Sequence, residues 1–163
     1  MIAGARVIGI VRTVDKAQVL ADVGVDVVLN SREEDVAARI MDITGGESVA
    51  AVFDGVAKDT FDLGLKVLAR DGTRVSYGNA SGNVIGFDVD RLRETNLCLM
   101  RPSMSGYVRT RVEFVGFVEK LFDFIAGLDK MGLKGSMYSL AQVQDAYRDL
   151  EGRKTQGKLL LKL

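Results

Sequence analysis

Arg12, Thr13 and Lys16 follow directly on the apolar run "RVIGIV" (Arg6 to Val11), and Asp15 is the one acid among them. At the carboxyl end of the second strand of a dinucleotide-binding sheet, an acid takes the ribose hydroxyls of NAD, whereas a base accommodates the 2′-phosphate of NADP. Arg12 and Lys16 in that place point to NADP, and solvated charges at a helix start are the alternative. Two further stretches, "FDGV" (Phe53 to Val56) and "SYGNASG" (Ser76 to Gly82), put small residues just past an apolar run. Glycine there lets a backbone approach a flat ligand closely, and it equally permits a tight turn at positive φ. The glycines of "GARVIGIV" lie before and inside the run, so they cannot form a phosphate loop between a first strand and its helix, and no G-x-G-x-x-G occurs. Tyr77, Tyr107, Tyr138 and Tyr147 lack a lysine or carboxylate partner at suggestive spacing, so packed tyrosines with surface hydroxyls are expected. No catalytic residue is named from the sequence.

The totals narrow the chemistry. The 163 residues are 47% apolar and 27% charged, which suits one cooperative globular unit, and the formal charge is zero. Nothing in that balance draws the chain to nucleic acid or anionic lipid. There is no histidine and a single cysteine, Cys98, so the usual nitrogen and sulfur ligands of zinc are missing, as is the imidazole of a Ser/His/Asp triad. Cys98 sits in "NLCLM", where a buried structural thiol is expected. With no membrane-spanning run and no signal-peptide pattern, a cytoplasmic protein is expected.

The elements that would position these residues read as alternating βα units on a parallel sheet. A helix from about Val14 to Val23 and a strand Asp26 to Leu29 follow the first run. Ser31 and Glu34 read as a capping box opening a helix to about Thr44. The nearly continuous apolar run Val49 to Gly55 reads as a central strand covered on both faces. A helix over Asp59 to Ala69, a turn at Asp71 to Thr73 and a strand Arg74 to Gly78 come next, then a strand Leu97 to Met100. Thr110 and Glu113 form a second box, opening a helix to about Lys130 whose stripe of Val112, Val115, Val118, Leu121, Phe122, Ile125 and Leu128 is expected to be core. Ser139 and Gln142 cap a last helix ending near Gly152, and "GKLLLKL" closes the chain as a strand.

In this order, the phrases "VIGIV" with "KAQ", "LNSREEDV", "ITGG", "VFDGVAKDTF", "VSYGNASG", "RPSMSGY" and "GRKTQGKLLL" resemble the C-terminal part of the quinone oxidoreductase (zeta-crystallin-like) branch of the zinc-free medium-chain dehydrogenases and reductases. The resemblance runs through the entire chain. It implies a partial Rossmann-like, doubly wound α/β domain over residues 1–163, NADPH as cofactor, and a quinone or activated alkene as hydride acceptor. It places Lys16 and Arg153 at the 2′-phosphate. Tyr77, Gly78 and Asn79 fall along the nicotinamide side, and Arg101, Pro102 and Ser103 near the nicotinamide pocket. Ser31 stands where relatives often carry a tyrosine beside the adenine ribose phosphate, and Gly55 where a serine is common; both changes remove a side-chain contact.

The same resemblance implies that the family's catalytic domain, first strand and pyrophosphate-binding glycine loop precede "AGARVIG" and are absent here. The family's strand order 3-2-1-4-5-6 would put that first strand mid-sheet. Its two neighbours would then either pair directly or be joined by another chain. The strand Leu97 to Met100 would pair across a two-fold axis in a homodimer. A catalytically silent assembly module is the rival expectation.

Overall fold

The computed structural model describes residues 4–127, 135–152, 155 and 157–163. Its elements, in chain order, are β1 (Ile8–Val11), α1 (Val14–Asp22), β2 (Val27–Asn30), α2 (Val36–Ile43), β3 (Val49–Asp54), α3 (Phe61–Lys66), β4 (Leu68–Ser76), β5 (Cys98–Met100), α4 (Met104–Tyr107), α5 (Arg111–Ala126), β6 (Gly135–Ser139), α6 (Val143–Glu151) and β7 (Lys158–Lys162). Every strand pairing among the described residues is parallel: β1 with β2, β3 with β4, β4 with β5, and β6 with β7. Parallel neighbours need crossover connections, and α1 and α3 supply them between β1 and β2 and between β3 and β4. Where composition suggested one unit, the chain divides into two: Met1–Arg32 with Asp123–Leu163, and Glu33–Phe122.

In the first unit, Leu29 of β2 is buried, and Leu20 of α1 packs over Gly9 of β1, where a Cβ would lie 2.7 Å from the leucine Cδ1. The Ser139/Gln142 capping box is present, and α6 follows it to a C-cap at Gly152. The sequence reading missed β6, because "GSMYS" opens on glycine and alternates polar with apolar over only five residues. Its Tyr138 hydroxyl donates to Asp149 of α6 at 3.1 Å, and desolvation followed by this carboxylate pushes the phenol above its ordinary pKa.

The second unit is built around Phe61, Leu65 and Leu68, with Val49, Val52, Val84, Phe87, Leu92 and Leu97 packed against them. Phe61 and Phe87 meet edge to face with centroids 4.9 Å apart, a geometry that ring quadrupoles favour. The helix after Asp59 is shorter than its spacing suggests, because Leu68 already begins β4. The Asp71 to Thr73 turn is a bulge inside that strand: Val49 faces Leu68, Ala51 faces Thr73, and Asp71 takes up the extra length at φ 60°.

Four expectations are corrected. The α2 N-cap is Asp35, whose carboxylate accepts from Ala37 N at 3.0 Å and Ala38 N at 3.2 Å. An acid there satisfies two amides at once and favours the positive helix end. Ser31 instead donates to Val11 O, and Glu34 pairs with Arg39. Next, β3 has β4 as its only strand partner among the described residues, and Phe53 is 72% exposed, so the apolar run is an edge, not the centre. Cys98 is exposed, since β5 is the outer strand of its sheet. Finally, the Thr110/Glu113 box forms, and the amides of Arg109 and Thr110 hold the Glu113 carboxyl below its usual range. The helix it opens nevertheless has no buried residue, and Val112, Leu121 and Phe122 are exposed. Periodicity marks the face that needs a cover; it does not supply one. Leu128 and Lys130 lie outside the described residues.

Candidate functional site

The carboxyl ends of β3, β4 and β5 meet in the second unit, and Asp54 organises them. As the last residue of β3 it turns its carboxylate back on the following loop, accepting from Val56 N at 2.9 Å and Ala57 N at 3.2 Å. Thr60 Oγ1 donates to the same carboxylate at 2.9 Å. These bonds curl the loop tightly enough to leave Ala57 at φ 73° although it is not glycine. The countercharge comes from Arg74 of β4, whose Nη2 pairs with Asp54 Oδ2.

Arg74 is fully buried at 0% exposure, and its guanidinium lies 4.5 Å over the Phe61 ring. Desolvation pulls its pKa down from the ordinary value, and the Asp54 charge opposes that pull. Among the described residues its Nε and Nη1 have no hydrogen-bond partner, so the ion pair and the ring contact must hold the cation in place. Room for it comes from Gly64 in α3, where a Cβ would overlap Arg74 Nη1 and lie 2.8 Å from its Cζ.

The loop after β4 is fastened to the loop after β3 through main-chain bonds. Tyr77 N donates to Asp54 O at 2.9 Å, Ala80 N to Gly55 O at 3.2 Å, and Ser81 N to Val56 O at 2.9 Å. Ser81 Oγ adds a bond to Val56 O at 2.7 Å and accepts from Asp59 N at 3.0 Å. The backbones approach so closely that a Cβ on Gly78 would sit 2.5 Å from Gly55 O. Beside them the exposed Tyr77 ring lies on Gly55, where a Cβ would be 3.0 Å from Tyr77 Cε2. Asn79 bonds to Asn83 at 2.9 Å. From the end of β5, Arg101 Nη1 reaches Ser76 O at 2.9 Å, and Ser103 Oγ caps α4 by accepting from Gly106 N at 3.2 Å.

The sequence-predicted residues Gly55, Tyr77, Gly78, Asn79, Arg101 and Ser103 thus share the carboxyl end of one sheet, the end at which such sheets bind ligands. Sequence reasoning missed Asp54 and Arg74. The available signal was an acid closing an otherwise apolar strand and a cation at an inward position two residues before Ser76. Because the atom facing Gly78 is backbone carbonyl, the loops must part to admit any side chain. Gly78→Ala is expected to cost about 1–3 kcal/mol of stability in urea unfolding.

In the first unit, Arg12 is exposed just past β1, and Lys16 lies half-buried in the first turn of α1. Ser31 bridges the strand ends, donating from N to Val11 O at 2.8 Å and from Oγ at 3.1 Å. Its hydroxyl is thereby committed to the strand ends. Arg153 lies outside the described residues.

A family model described as zinc-binding dehydrogenase matches residues 1–125. The quinone oxidoreductase of Salmonella typhimurium is 42% identical over 97% of this chain and 49% of its own length. Among solved structures, a Pseudomonas syringae quinone oxidoreductase superposes with a TM-score of 0.91 at 30% identity, covering 98% of this chain and 50% of that one. The Escherichia coli quinone oxidoreductase complexed with NADPH superposes with a TM-score of 0.87 at 40% identity, again over 98% and 50%. The chain spans about half the length of the relatives it matches. The family description names zinc, but this sequence has no histidine and one cysteine, which leaves the usual nitrogen and sulfur donors short. The match over residues 1–125 and the Rossmann-like α/β fold together mean that this chain belongs to the zinc-binding dehydrogenase family, and within it resembles the quinone oxidoreductases.

Proposed function

We propose that residues 1–163 are the NADP-binding part of an NADPH-dependent quinone oxidoreductase. The observation that carries this reading is the pair of interlocked loops after β3 and β4, in a chain whose fold matches the NADPH-complexed Escherichia coli enzyme at a TM-score of 0.87. The residues suit the group. Arg12 and Lys16 offer cationic donors for a 2′-phosphate, a role that Arg153 would share. Tyr77, Gly78 and Asn79 would line the nicotinamide side, with Arg101 and Ser103 at the pocket's edge. When bound, NADPH supplies a hydride for a quinone or activated alkene, and the protein supplies orientation and electrostatics. Arg101 is preset for such orienting work by its bond to Ser76 O.

A second reading, a catalytically silent assembly module, is favoured by the outer strand β5, all of whose residues are exposed. Its outer edge, which has no strand partner among the described residues, suits pairing with a second copy in a homodimer.

The test is a titration of the full chain with NADPH and NADH, following fluorescence and thermal stability together, with sedimentation for the oligomeric state. NADPH is expected to bind and raise the melting temperature, NADH to do neither, and Lys16→Ala to weaken that discrimination. A dimer that binds neither nucleotide would support the assembly module instead.

A further inference from the structure

We infer that Asp54, backed by Arg74, is a positioning residue for the nicotinamide-side loops; this rests on the cofactor reading above. Its carboxylate holds the amides of Val56 and Ala57 and the hydroxyl of Thr60, while its main-chain oxygen receives Tyr77 N. The carboxylate therefore sets the path of the loop after β3, and the loop after β4, which carries Tyr77, Gly78 and Asn79, is fastened onto that loop through Gly55 O and Val56 O.

An amide cannot replace this group. Val56 N and Ala57 N donate to different oxygens of the carboxylate, Oδ1 and Oδ2. Asparagine would present one acceptor and one N–H₂ group, so one backbone donor would face another donor. The nearest cation also makes the charge specific. Arg74 Nη2 lies on Oδ2, the oxygen that Ala57 N shares, and its burial excludes water as a substitute partner.

The experiment compares the full wild-type chain with Asp54→Asn, Thr60→Val and the double variant Asp54→Asn/Arg74→Met, at a temperature where circular dichroism shows each folded. Two readouts are taken: amide hydrogen exchange at Val56, Ala57 and Ser81, whose amide donates to Val56 O, and affinity for NADPH beside that for 2′,5′-ADP, which lacks the nicotinamide half. In Asp54→Asn the three amides are expected to exchange about tenfold faster or more. NADPH affinity is expected to fall by about tenfold while 2′,5′-ADP affinity stays within about twofold. Thr60→Val, which removes the hydroxyl shared among both Asp54 carboxylate oxygens and Ala57 O but no charge, should show the same pattern more weakly. The double variant carries no uncompensated buried charge but still lacks the carboxylate. It should reproduce the Asp54→Asn pattern, and it carries the test if the single variant does not fold.

Unchanged exchange, or equal losses for both ligands, would overturn the inference, the latter marking Asp54 as merely structural. If wild-type chain binds no NADPH, the cofactor reading falls, and the exchange comparison alone decides whether Asp54 holds the loops.

Discussion

Arg74→Ala is expected to lower the unfolding free energy by about 3–5 kcal/mol, the range for breaking a buried ion pair from one side. The substitution strands the Asp54 carboxylate at 7% exposure, empties the space beside Gly64 and removes the cation from the Phe61 ring. Opposing terms exist. Wild type already leaves Nε and Nη1 of this guanidinium without hydrogen-bond partners among the described residues, and each such buried donor costs roughly 1–3 kcal/mol. Alanine relieves that cost but leaves a cavity and an unpaired carboxylate, and the second loss should win. Urea unfolding measures the difference. A change below about 1 kcal/mol would show that the unpaired donors cancel the pair, making Arg74 a device for geometry with no net stabilising effect.

Gly64→Ala sets two effects of opposite sign against each other. Alanine is better than glycine in a helix interior by roughly 1 kcal/mol, so at an exposed position the change would stabilise. Here the new Cβ would overlap Arg74 Nη1, and the guanidinium has no route to solvent. Overpacking of a filled core costs about 1–3 kcal/mol, and displacing a buried cation from its carboxylate adds to that, so net destabilisation is expected. The cause can be isolated by repeating the substitution in the Arg74→Met background. There the collision is relieved, and a double-mutant cycle should return a coupling on the order of 1–3 kcal/mol. A cycle that closes near zero would place the strain elsewhere in α3.

The parts of this molecule that the sequence revealed are those governed by local chemistry. The boxes at Thr110/Glu113 and Ser139/Gln142 were legible because the bonds that make them span only three residues. The box proposed at Ser31 failed to the same kind of chemistry: Asp35, four residues on, accepts from two helix amides with one carboxylate oxygen, Oδ1, and the Ser31 hydroxyl had a partner on β1 that no local pattern reveals. Neighbourhood was harder to read. An apolar run such as Val49 to Asp54 records that a strand wants cover without saying how many sides receive it, and Cys98 and the α5 stripe misled for the same reason. Small residues after two strands marked where the two loops lie. The clamp beneath them, joining residues 54 and 74 across two strands, depends on the β3/β4 register, which a bulge shifts.

The close approach of Gly55 and Gly78 has a consequence for anyone diversifying this protein by selection. Because a Cβ at position 78 would meet the carbonyl of residue 55, and one at position 55 would meet the Tyr77 ring, the two sites do not vary independently. Libraries that randomise one position at a time would score both as intolerant and discard them. Randomising 55, 77 and 78 together, with a smaller residue allowed at 77, samples the combinations in which the loops can part without unravelling, and new ligand shapes should be sought there.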